Sequence, residues 1–167
     1  MTRRHSLPLL TALEPDVYVI DTSSWLNLEE RPDFEDAWQI VVSLTQEGRV
    51  VVCAQVFAEL RATSIMELLK PYEKELKAGD RNDPEYLMHV GRITHAHPSM
   101  SRATSRKTPA DPYIVALAEC ENFVVVTDES ARHPARKIPG VCAMRKIRCM
   151  NLDQFIRGQK ETLDKEK

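Results

Sequence analysis

The sequence predicts an α/β fold: a three-layer α/β/α sandwich built on a mostly parallel central sheet. Three observations predict it. Continuous apolar, β-branched runs occur at 17–20, 49–54 and 123–127, the pattern of strands buried on both faces. Segments with helical spacing of apolar residues separate these runs, and that alternation gives a parallel sheet. The chain has 167 residues, 43% hydrophobic and 29% charged, which suits one domain with a sizeable core.

The elements follow in order. "MTRRHSLPLLTALEPD" has a short apolar run broken by Pro8, so residues 1–16 read as an arm and not as a signal peptide. "VYVI" is the first strand. "DFEDAWQIVVSLTQEG" places Ala37, Ile40, Val41 and Leu44 at i, i+3, i+4 and i+7, with Gly48 as the stop. "RVVVCA" is the second strand. "QVFAELRATSIMELLKPYEKELKAG" is helical on both sides of a break near Thr63 and Ser64, and Pro71 kinks or restarts it. "DPEYLMHVGRITHAH" is a helix with Pro84 in its first turn.

"PSMSRATSRK" is polar and basic, a loop. "TPADPYIVALAECEN" is a helix whose "TPAD" reads as a capping box, with Thr108 as N-cap, Pro109 at N1 and Asp111 at N3. "FVVVT" is the third strand and "ESARHPARKIPG" a long loop. "VCAMRK" is a short helix, "IRCMN" a fourth strand and "LDQFIRG" a last helix. The domain thus spans 17–158, and 159–167 is a charged, frayed tail. Three or more strands at 17–20, 49–53, 123–127 and 146–149 are expected in one sheet.

Composition narrows the function classes. A net charge of -2 gives no global signature of nucleic-acid binding. No window is long and apolar enough to span a membrane. Cys53, Cys120, Cys142 and Cys149 form no C-x-x-C pair and no zinc-like spacing. Reduced, packed thiols in a cytoplasmic protein are the expectation.

In parallel sheets the functional crevice lies beyond the carboxyl ends of the strands. Asp21 directly follows the first strand, and Glu59 lies one or two turns after the second. Asp111 opens the helix that feeds the third strand, and Asp128 and Glu129 follow that strand. Each has an ordinary reading alone: Asp21 as a helix cap, Glu59 as a solvated helix residue, Asp111 as part of a capping box, Asp128 and Glu129 as turn acids. Only their conjunction on one rim points further. Clustered carboxylates raise each other's pKa, and a hard divalent cation, Mg²⁺ or Mn²⁺, offsets that cost. Such a site can polarise a phosphodiester and activate water for in-line attack. Ser23 and Thr127 are placed to hold the carboxylates from behind.

Two segments free of acids flank the unit from Asp111 to Glu129. The first carries Arg92, Arg102, Arg106 and Lys107, the second Arg132, Arg136, Lys137, Arg145, Lys146 and Arg148. Of these, Arg102, Arg106, Lys107, Arg132, Arg136 and Lys137 are candidate phosphate contacts of a nucleic acid; solvated loops are the ordinary alternative. His95 and His97 in "THAHP" lack a third nearby ligand. Trp25, Trp38 and Phe57 read as core and not as base-stacking residues.

The ordered set "VIDTSS", "VFAELR", "ADPYIVALA" and "VVVTDE" resembles the PIN-domain superfamily. The tail "KIPGVCAMRKIRCMNLDQFI" looks like an uncharacterised prokaryotic PIN-like family related to toxin-type (VapC-like) ribonucleases. The resemblance implies a metal-dependent nuclease fold acting on RNA, and a toxin paired with a cognate antitoxin. It also admits a homodimer, and it implies no membrane partner. Carried over residue by residue, it implies Asp21, Glu59 and Asp111 as metal ligands. Glu129 is the fourth by position, with Asp128 as its competitor. The "ESARHPARKIPG" stretch departs from compact toxin forms. Two rivals stay open: a structure-specific DNA nuclease on the same fold, and a PIN-like module that binds RNA or protein without cutting. An aspartyl-nucleophile phosphatase is disfavoured, because "DTSS" lacks a second aspartate two residues after the first.

Overall fold

A computed structural model describes residues 14–79, 82–101, 109–134 and 136–165. It contains five strands: β1 (Tyr18–Ile20), β2 (Val50–Cys53), β3 (Lys77–Ala78), β4 (Val124–Val126) and β5 (Cys149–Met150). They form one all-parallel sheet in the order β3-β2-β1-β4-β5. The expected parallel α/β sheet is therefore present, flanked by helices. Among the described residues these are α1 (Thr22–Glu29), α2 (Phe34–Gln46), α3 (Ala54–Leu60), α4 (Ser64–Leu69), α5 (Glu73–Leu76), α6 (Pro84–Ala96), α7 (Asp111–Glu121), α8 (Ile138–Arg145) and α9 (Leu152–Lys165).

The central strands are buried on both faces because every side chain in β1, β2 and β4 is apolar and covered. The helix α7 packs against β1, β2 and β4, while α2 and α5 pack on β2. Trp25 on α1 and Phe155 on α9 are fully buried, each worth about 1.5–3 kcal/mol of transfer free energy. The Phe155 ring lies 4.8 Å from that of Tyr18. Trp38 is half-buried, its ring 6.1 Å from Phe34 and 6.1 Å from Tyr72. Phe57 is likewise partly buried against the core.

Chain order gives the sheet a switch point. From β1 the chain crosses to β2 on one side; β4 lies on the other side of β1. Loops leaving β1 and β4 therefore separate at their carboxyl ends, where such sheets open a crevice. No helix is long and apolar enough to cross a membrane among the described residues.

Several elements differ from the sequence expectation. Strand β3 was not expected; its two residues pair with Val52 and Cys53 and carry no apolar run. Helix α7 starts at Asp111 itself, with Ala110 as N-cap and Pro112 in the first turn. Asp111 is thus at N1, not N3, and Pro109 precedes the helix; Thr108 lies outside the described residues. Helix α8 starts at Ile138, inside the stretch expected as loop. There Gly140 lies against Pro134, whose Cα would stand 2.1 Å from an added Cβ. Lys146 closes α8 with a left-handed φ of 58°, so β5 begins at Cys149, later than expected. The charged stretch expected as a frayed tail is the second half of α9 as far as Lys165. Gln159 reaches Tyr18 Oη at 3.0 Å, and Lys160 reaches Asp33 at 2.9 Å. Most of the expected N-terminal arm, residues 1–13, lies outside the described residues.

Candidate metal centre

Asp21 is delivered by β1 and ends it. Its backbone N–H bonds to Val126 O at 3.0 Å, which locks the end of β1 to β4. Its side chain then caps α1, accepting from Ser24 N at 2.9 Å. The Thr127 hydroxyl donates to Oδ2 at 2.7 Å. The Ser23 hydroxyl lies 2.9 and 3.0 Å from the two oxygens. Asp21 is 3% exposed. Burial raises its pKa, the bonds from Thr127, Ser24 and Ser23 oppose that rise, and Glu129 adds to it. Cap and functional acid are therefore compatible in one residue.

Glu59 projects from the last turn of α3 back to the same rim. It accepts from the Thr22 hydroxyl, next to Asp21, and from Ala110 N at 2.9 Å. The second bond explains why α7 can start without a side-chain cap of its own. The Glu59 carboxylate takes one of the amides a helix start leaves open. Asp111, the next residue, is partly buried. Burial comes first, and then Glu129, Glu59 and Asp21, in pushing its carboxyl up to about 7. Asp111 thus feels the charge of all three other acids, and Asp21 that of Glu129.

The two acids after β4 diverge. Glu129 accepts from Ile138 N at 2.9 Å and from Lys137 Nζ at 3.2 Å, and its own N–H bonds to Thr127 Oγ1 at 3.1 Å. It thereby caps α8 while facing Asp21 and Asp111. Asp128 turns elsewhere, accepting from Leu152 N at 2.8 Å and from Asn27 Nδ2 at 2.8 Å. It lines a separate depression of about 300 Å³ with Arg31 and Asp153. Four oxygen-donor acids with one ammonium, Lys137, beside them suit a hard divalent cation.

The basic candidates divide. Arg102, Arg106 and Lys107 lie outside the described residues. Arg132 and Arg136 are exposed on the loop after Glu129, and Lys137 is on the rim itself. Arg145 and Arg148 are taken by Glu119 and Asp16. His95 and His97 end α6. A third histidine, His89, sits with Glu85 and Cys120 in a group the sequence reading missed. The signal that could have found it is the one-turn spacing of Glu85 and His89 on one helix.

The fold and rim define an all-parallel α/β domain with carboxylates gathered at its switch point. The chain belongs to the family described as Domain of unknown function (DUF4411), whose sequence model matches residues 18–163. No curated protein matches it. Among solved structures it resembles VapBC-1 from nontypeable Haemophilus influenzae, at TM-score 0.52 and 15% identity, over 82% of this chain and 98% of that one. DNA bound VapBC from Salmonella typhimurium is similar at TM-score 0.53 and 18% identity, covering 83% and 99%. PAE2754 from Pyrobaculum aerophilum is similar at TM-score 0.51 and 14% identity, covering 87% and 98%. At these identities the likeness is one of fold.

Proposed function

We propose that this protein is a PIN-like, Mg²⁺- or Mn²⁺-dependent endoribonuclease, with Asp21, Glu59, Asp111 and Glu129 as the metal ligands. One observation carries the reading. Asp111 stands at a helix start with its carboxyl pushed up to about 7 by burial and by three other carboxylates. A protein pays for such crowding where a cation is to be held. A bound Mg²⁺ or Mn²⁺ would polarise a phosphodiester and lower the pKa of water.

The chain's own residues do the positioning. Thr127 and Ser23 hold the Asp21 carboxylate in place. Thr22 and Ala110 N do the same for Glu59, and Ile138 N for Glu129. Lys137, Arg132 and Arg136 stand on the side where Glu129 leads into the loop, suited to phosphate oxygens. RNA as substrate rests on the resemblance of the four ordered motifs to the PIN superfamily. A cognate antitoxin partner is supported by the likeness to two VapBC structures.

A second reading is a binding module that does not cut. It is favoured by the hydrogen bonds that Asp21, Glu59 and Glu129 accept from Thr127, Ala110 N and Ile138 N, which give each carboxylate a structural role of its own. Labelled RNA and DNA incubated with purified protein, with Mn²⁺ or with chelator, separate the readings. Chelator-sensitive cutting of RNA that Asp21→Asn abolishes supports the ribonuclease. Equal or preferred cutting of DNA makes it a DNA nuclease. RNA binding with no cutting under either metal leaves the binding module.

A further inference from the structure

Away from the carboxylate rim, α6 and α7 bring together a second set of donors of different chemistry. Glu85 and His89 lie one turn apart on α6, and Cys120 reaches them from the last turn of α7. One carboxylate oxygen, one imidazole nitrogen and the thiol sulfur all lie within 4.8 Å of one another. A tetrahedral ion with bonds of 2.0–2.3 Å needs donors about 3.3–3.8 Å apart. The exposed Glu85 side chain is free to supply that contraction.

A neighbouring contact points to a ligand. His89 Nδ1 lies 2.8 Å from Glu119 Oε2. Glu119 is in turn gripped by Arg145, at 2.8 Å from Nε and 2.7 Å from Nη2. Burial would raise the Glu119 carboxyl, yet the bonds from His89 and Arg145 hold it below its ordinary value. A carboxylate behind the ring fixes the proton on Nδ1 and leaves the Nε2 lone pair free. That is the arrangement that orients metal-bound histidines.

We propose that Glu85, His89 and Cys120 form a transition-metal site of the zinc class, with Glu119 as the positioning residue for His89. Mixed oxygen, nitrogen and sulfur donors select such an ion over Mg²⁺. Three protein donors leave a fourth position for water or a further ligand. The site is distinct from the carboxylate rim: Cys120 stands nine residues along α7 from Asp111, about 13 Å by helical rise. It would staple the start of α6 to the end of α7. Glu121 Oε1 lies 3.9 Å from the Cys120 sulfur, and Glu85 and Asp83 also act on the thiol electrostatically, a negative surrounding that a dication offsets.

The test uses the full chain, stripped of metal and titrated with Co²⁺. The expected result is a thiolate-to-Co²⁺ charge-transfer band that saturates at one equivalent at this site and is displaced by Zn²⁺, any Co²⁺ on the carboxylate rim giving no such band. The band should be lost in Cys120→Ser. Affinity should fall at least about 10-fold in His89→Gln and about 10–100-fold in Glu119→Gln, which keeps the band. Asp111→Asn should keep both band and affinity, since the rim is a separate site. In an Asp111→Asn background, which removes a ligand of the rim, Zn²⁺ should raise Tm, and adding Glu85→Gln/His89→Gln should cut that rise, a check that does not depend on the cysteine variant folding. Absence of the band in wild type overturns the proposal, as does its survival in Cys120→Ser or its loss in Asp111→Asn.

Discussion

The hydroxyl of Thr127 lies 2.7 Å from Asp21 Oδ2. It donates there and accepts the Glu129 N–H at 3.1 Å. One side chain at the end of β4 therefore sets the distance between the acid of β1 and the acid that follows β4. Thr127→Val keeps the shape and removes both bonds. Leaving buried polar groups unpaired costs about 1–3 kcal/mol. Denaturant melts should show that loss. A Mn²⁺ titration should show affinity reduced about 10–100-fold, as for other groups that orient a ligand. Unchanged metal affinity would remove Thr127 from the site.

Asp111 gives the protein a pH-dependent stability of unusual sign. Its carboxyl titrates at about 7 in the fold and near 3.9 in an unfolded chain. Between these values the folded state binds a proton that the unfolded state lacks, so stability falls as pH rises. The penalty is absent below about pH 4 and complete above about pH 7. Asp111→Asn should abolish this slope and melt higher than wild type at about pH 8 in chelator. Mn²⁺ should raise the wild-type Tm at about pH 8 and little at about pH 5, where a proton competes for the same oxygens. A wild-type Tm that climbs from about pH 5 to about pH 8 in chelator would contradict this environment for Asp111.

Glu59→Gln tests the ligand set with little cost to the fold. The amide oxygen still accepts the Ala110 N–H, so α7 should keep its start. The charge is gone, so cutting should fall about 100-fold or more, with melting changed by less than about 1 kcal/mol. Circular dichroism melts and single-turnover cleavage of one RNA check both halves.

The proposed function would give Lys137 two roles, one toward the carboxylates and one toward RNA. Its ammonium lies 3.2 Å from Glu129 Oε1 and lowers the pKa of Asp111. Lys137→Met should move the pH window of Asp111 upward. It should also flatten the salt dependence of RNA binding by about 0.7 in log–log slope. Neutralising Arg102, Arg106 and Lys107 together should flatten it by about 2 and leave the pH window in place. Filter binding across a salt series reads both variants.

The central sheet was legible because β1, β2 and β4 are unbroken apolar runs, and only burial on both faces asks for that. Strand β3 was not, since Lys77 and Ala78 carry no pattern and are recruited by β2. The start of α8 was hidden for a similar reason. "IPG" reads as loop, and the helix begins there because Glu129 accepts the Ile138 N–H, a contact set by tertiary structure. At the candidate site, the gathering of Asp21, Glu59 and Asp111 at one rim was legible from their places after strands and at helix starts. The choice between Asp128 and Glu129 was not, because adjacent residues leaving a strand point to opposite sides. The group of Glu85, His89 and Cys120 needs two helices packed together before its donors meet.

The capping role of Asp21 bears on how this family can diverge. Asp21 starts α1 and ties β1 to β4, so its loss weakens the fold whether or not the protein cuts. A descendant that abandoned catalysis would still be selected to keep it. Asp111 stands in the reverse position, its carboxyl crowded by three acids and held by no side-chain hydrogen bond among the described residues. Once a lineage stops using the ion, replacing Asp111 improves stability at neutral pH, so drift should strike there first. In a set of relatives, the residue at 111 is therefore a better witness to retained activity than the aspartate at 21.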